Sequence, residues 1–169
     1  MSKRKLKKYL SELRKGDLED QLLDLYIRFP MVKEYYDFIF NPKEDKLLQE
    51  ARTKISNEYF PLKRRKAKAR RSVAQKYIKH FIKLGVDPHI VADVMLFNLE
   101  IAQTYARGKN IPDAFFKSML NSFDQAVHYI SLQGLLNDFK ERILKVYEET
   151  QEQEWLFGEG FSRVLDGID

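Results

Sequence analysis

Residues 84–107 read LGVDPHIVADVMLFNLEIAQTYAR, and the fold class follows from them. Gly85 stands where a helix stops, because a residue without a Cβ takes the left-handed C-terminal cap without strain. Asp87 then offers an N-cap, and Pro88 a first helical residue whose missing N–H would be unpaired anyway. The stretch is therefore a tight helix–helix turn. The helix it opens is predicted over residues 88–107. Its apolar residues Ile90, Val91, Val94, Met95, Leu96, Phe97, Leu99, Ile101, Ala102 and Tyr105 spread around most of the circumference. A helix of that kind belongs in the middle of a fold.

The same punctuation recurs outward from this turn. Pro30, Pro42, Pro61, Pro88 and Pro112 stand at or just before periodic segments, and Gly16, Gly85, Gly108 and Gly134 where such segments stop. Between them the apolar period is helical: Leu18, Leu22, Leu25 and Phe29 form one stripe, and Val73, Tyr77, Phe81 and Leu84 another. Helices are predicted near residues 3–15, 17–28, 30–40, 43–58, 66–84, 88–107, 112–133, 135–150 and 156–166. No segment alternates with the period of a strand. The expectation is a single compact all-α domain over residues 1–169, with eight to nine helices. It would place antiparallel helix hairpins around the buried central helix, an order that also suits a stacked α-α superhelix. Phe157, Phe161, Val164, Leu165 and Ile168 continue the pattern as an amphipathic tail that should dock despite Gly158 and Gly160.

The chain has 169 residues, 44% of them hydrophobic, which is ample for a packed core. It has no cysteine, which excludes disulfides, thiolate catalysis and Cys-ligated zinc and suits a reducing compartment. The basic start MSKRKLKKYLSEL is not followed by an apolar stretch, so it does not read as a signal peptide. No run approaches the length of a membrane span, and no lipidation motif accompanies the basic residues. A soluble cytoplasmic protein with no membrane partner is expected.

Charge is sorted along the chain. Residues 1–85 carry 23 Lys+Arg against 11 Asp+Glu, whereas residues 86–169 carry 7 against 14. Lys63, Arg64, Arg65, Lys66, Lys68, Arg70 and Arg71 form the densest basic run. On a helix starting near residue 66, Arg65, Lys68, Ser72, Lys76, Lys79 and Lys83 fall within about 80° of one another, opposite the apolar stripe. Such a ridge can follow a phosphate backbone without reading bases. It can equally be a solvated face, partly neutralised by the acidic half. The Gly85 turn does not make a helix-turn-helix, because Phe81 stands where a small residue is needed and the would-be recognition helix is the most apolar of all.

Other chemistry is sparse. His80, His89 and His128 have no metal-ligand spacing, and no phosphate loop, nucleophile elbow or dinucleotide fingerprint is present. Asp124 and His128 share a helix face, a placement that most often marks a satisfied histidine. Glu148, Glu149, Glu152 and Glu154 crowd a helix C-terminus against its dipole, so they call for a cationic neighbour, with the basic ridge as one candidate. Tyr35, Tyr36, Phe38 and Phe40 read as core aromatics, with stacking on single-stranded bases as the functional alternative. The residues point to no enzyme, no cofactor and no metal. They leave two expectations: a nucleic-acid or polyanion binder using the basic ridge, or an interaction or homo-oligomeric module that pairs its basic half with an acidic protein surface.

KKYLSEL (Lys7–Leu13), VKEYYDFIFNP (Val32–Pro42), YFP (Tyr59–Pro61), LGVDP (Leu84–Pro88) and FKERILKVYEET (Phe139–Thr150) occur in this order. In these stretches the chain resembles a family of short, uncharacterised bacterial proteins known only as a domain of unknown function. The resemblance spans nearly the whole chain. It implies a helical cytoplasmic protein with no assigned activity and no catalytic residues to carry over.

Overall fold

The computed structural model describes residues 2–62 and 65–167, among which the regular elements are all α-helices and no strand occurs. The helices are α1 (Lys3–Ser11), α2 (Lys15–Arg28), α3 (Pro30–Phe40), α4 (Glu44–Tyr59), α5 (Arg71–Leu84), α6 (Pro88–Ala106), α7 (Asp113–Leu132), α8 (Leu136–Glu152) and α9 (Gly158–Asp166). They divide into two units, residues 1–43 and 44–169. The structural boundary therefore lies at Lys43, well before the change of charge at residue 85.

In the first unit α2 and α3 pack on each other. Phe29, held extended ahead of a proline, ends α2, and Pro30 is the first residue of α3. Across the pair the Tyr26 hydroxyl donates to Asp37 at 2.6 Å. No residue of α1, α2 or α3 is buried. The aromatic group before Pro42 is consequently not core: Phe40 is 80% exposed and Tyr35 41%. A unit this short has too little chain to enclose an interior. Gly16 also departs from expectation, lying in the first turn of α2 rather than at a helix stop.

The second unit is built on α6, which packs against α4, α5, α7 and α8. Val91, Ala92, Val94, Leu96, Leu99 and Ala102 have no solvent exposure. One helix touching four others is a hub, not a layer in a stack of hairpins. Its few charges lie on a single stripe: Asp93 takes Arg52 of α4 and Arg142 of α8, each at 2.7 Å, and Glu100 takes Arg142 at 2.6 Å. Paired in this way, the carboxylates can sit beside the core. Of the apolar residues read from the sequence as facing the core, Val94, Met95, Leu99 and Phe81 are buried, while Phe97 and Tyr77 are only half-buried; Phe123 of α7 is buried and Phe139 of α8 half-buried.

Three of the turns in this unit share one construction. Gly85, Gly134 and Glu154 adopt left-handed φ values of +77°, +71° and +51°. In each case the next residue (Val86, Leu135, Trp155) donates its N–H to the carbonyl five residues back, on Phe81, Ile130 and Thr150, at 2.9–3.1 Å. That next residue is also buried. This is the Schellman arrangement with its hydrophobic contact, and it sends the chain back onto the core after each stop.

The last of these turns delivers α9, which packs on α7 and α8. Phe161 is fully buried, 5.2 Å from the Phe123 ring and 6.2 Å from Trp155. A Cβ on Gly160 would stand 2.5 Å from Leu120 Cδ2, so a larger residue here would have to push the Leu120 side chain of α7 aside. The tail docks as its apolar spacing requires, except that Phe157 stays 46% exposed; Ile168 lies outside the described residues.

Candidate functional site

Following Pro61 the chain does not resume a helix at residue 66. Residues 65–70 are non-helical, and α5 starts only at Arg71. Closely spaced like charges oppose a helix here, and Glu58 near the end of α4 holds the segment in another form. The Glu58 carbonyl accepts from the N–H groups of Lys68 and Ala69 at 3.0 and 2.9 Å. The Glu58 carboxylate accepts from both Arg70 Nε and Nη2, at 2.9 and 2.8 Å. Arg70 beside it holds the Glu58 carboxyl below the usual carboxylate range. Ala69 takes a left-handed φ of +47° to make this fold-back.

The continuous helical ridge expected from the sequence is therefore broken in two. Lys76, Lys79 and Lys83 remain exposed on α5 at helical spacing. Arg65, Lys66 and Lys68 are exposed on the preceding strap. Arg71 is not part of the ridge: its guanidinium turns inward, donating to Ser122 Oγ and Gln125 Oε1 of α7, each at 2.6 Å, and burial lowers its pKa. Arg70 is committed to Glu58. Lys63 and Arg64 lie outside the described residues.

The strap, the second half of α4 and the first turns of α5 enclose a bowl of about 910 Å³. Lys54, Arg65, Lys66, Lys68, Arg70 and Lys76 line it, and among the described residues Glu58 is the one carboxylate in its wall. Among the same residues, Arg65, Lys66, Lys68, Lys54 and Lys76 form no ion pair. Ser72 brings in the start of α5, whose first turn holds no acidic residue and whose N-cap makes no side-chain hydrogen bond. The helix dipole there adds to the positive field. Pro61, Leu62, Val73 and Tyr77 supply apolar wall. Six cations around one already-paired carboxylate make a concavity suited to polyanions.

Sequence reasoning found Arg65, Lys66, Lys68, Arg70 and Lys76 but missed Lys54, Asn57 and Glu58. Their i, i+3, i+4 spacing on α4 marks a shared face, but nothing local ties that face to a basic run ten residues later. The acidic end of α8 has the cationic neighbour it calls for at Glu149, though not the candidate named from the sequence. Arg107, at the end of α6, meets Glu149 at 2.6 Å, so Glu149 takes its cation from there and not from the ridge. Asp124 and His128 are both exposed. A second polar cluster joins His89 to Asp87 at 3.3 Å and to Asp138 at 2.9 Å, and the Asp138 hydrogen bond raises the pKa of the imidazole. No group of three or more His, Asp or Glu among the described residues is placed to hold a metal ion. No helix there is long and apolar enough to cross a membrane.

A model for a family of unknown function, DUF6155, matches residues 1–169. The chain belongs to that family. The five ordered stretches that carried the resemblance are thus spread over the whole length of a family match. No curated protein and no solved structure matches the chain.

Proposed function

We propose that the protein binds nucleic acid through its phosphates, without regard to sequence, at the basic bowl between α4, the strap and α5. The observation that carries this is the convergence of Lys54, Arg65, Lys66, Lys68 and Lys76, from three chain segments, on one concavity with no ion pair of their own. A solvated face needs no such convergence. Base reading is not part of the proposal, because α6, the helix after the Gly85 turn, is spent on the core.

Salt dependence tests it. Engaging about five phosphates makes the logarithm of affinity fall with the logarithm of salt at a slope near −4.5 on duplex DNA and near −3.5 on single strands. Changing Arg65, Lys66, Lys68 and Lys76 together to Gln should flatten that slope by about one unit for each phosphate no longer engaged, equally for all sequences. All four side chains are exposed, so the helical circular dichroism should be unchanged. Absence of salt-sensitive binding to RNA and DNA at 50 mM salt would refute the reading. An acidic protein surface would then be the remaining occupant, checked by elution on a sizing column at low and high salt.

A further inference from the structure

We infer that the bowl takes single-stranded nucleic acid in preference to duplex, seating a base against Tyr77 while the surrounding cations hold the flanking phosphates. This rests on the phosphate-binding reading above and specifies the strand state. A purely phosphate-tracking surface would need only a cationic ridge. The bowl instead carries an apolar wall of Pro61, Leu62, Val73 and Tyr77 among its lysines and arginines. Its volume of about 910 Å³ lies in the range that encloses small organic ligands, which suits a nucleotide or two.

Tyr77 is the side chain equipped to meet a base. Its hydroxyl is held by Glu50 at 3.3 Å, and its ring packs edgewise on Phe81 at 6.2 Å, so the ring is fixed before any ligand arrives. An aromatic face tolerates every base, in keeping with sequence indifference. A duplex keeps its base faces stacked inside and can offer the bowl only phosphates. A single strand offers phosphates to Lys66, Lys68 and Lys76 and a base face to Tyr77 together. Inorganic polyphosphate supplies the charge without the base.

The test uses the full chain and fluorescence anisotropy at 100 mM salt, with a labelled oligo-dT, a duplex of equal length and inorganic polyphosphate as probes. Oligo-dT should bind at least about tenfold more tightly than the duplex. Tyr77→Leu should weaken oligo-dT by about 5- to 150-fold, the range seen for loss of one stacked base, with little change in salt slope. Tyr77→Phe should restore it, and polyphosphate should not distinguish the three proteins. Leu62→Ser, on a residue 71% exposed and therefore harmless to the fold, should also weaken oligo-dT selectively. Equal affinity for strand and duplex, or no effect from both Tyr77→Leu and Leu62→Ser, would overturn the base-seating inference and leave phosphate binding standing. So would an equal loss of polyphosphate binding in Tyr77→Leu, since that would place the ring in the site's architecture only. No salt-sensitive binding to any probe would remove both readings.

Discussion

Single residues carry the exceptions in this fold. Glu154 occupies, at φ +51°, the position that Gly85 and Gly134 fill in the two parallel turns. A Cβ in the left-handed region costs about 1–2 kcal/mol, so Glu154→Gly should raise unfolding stability by about 1 kcal/mol in a urea titration. Glu58 does two jobs with two groups, its carbonyl capturing backbone and its carboxylate capturing Arg70. Its carboxyl pKa is lowered in the folded state, so the unfolded chain binds the proton more readily. The stabilisation is then complete above the ordinary glutamate value, about 4.3, and is lost as pH falls through the lower folded value. Stability measured from pH 6 down to pH 3 should fall less steeply in Glu58→Gln than in the parent, and identical slopes would remove the Arg70 pairing from the account. Neither residue announces itself in the sequence. Glu154 follows no glycine signal, and the partners of Glu58 lie ten to twelve positions downstream.

At the scale of elements, burial ranks the helices and predicts what each can lose. Phe161 of α9 is fully buried against Phe123 and Trp155, so Phe161→Ala should cost about 3–5 kcal/mol. Phe97 of α6 is half-buried, with the Arg52 guanidinium 5.3 Å above its ring. Phe97→Ala should cost less, about 1–2 kcal/mol, because less apolar surface returns to water. Chemical denaturation of the two variants side by side checks the ordering. The helices themselves were legible because their signals are local: apolar period, Gly85 and Gly134 as stops, Pro30 and Pro88 as starts. The strap at residues 65–70 was not, because its state is decided by Glu58 on another helix, a long-range hydrogen bond that outweighs the helical spacing of Lys68 and Ser72. The bowl shares that fate. Its cations could be read from the run of Lys and Arg, but its curvature and apolar wall could not.

At the scale of the whole chain, every buried residue among those described belongs to the unit of residues 44–169. A chain of residues 44–169 should accordingly retain cooperative thermal unfolding and the same affinity for oligonucleotides. A broad, non-cooperative melt of that segment would show that its core depends on residues 1–43. The hub position of α6 also has a consequence in time. Synthesis proceeds from the N-terminus, and α6 leaves the ribosome complete at Ala106 with only α4 and α5 available to cover it. Its other two neighbours, α7 and α8, finish at Leu132 and Glu152. At about 5–20 residues per second, α6 waits roughly 2–9 s for the last of them. During that interval the most apolar helix of the protein is wrapped on one side only, with the face that α7 and α8 will cover still open to other contacts.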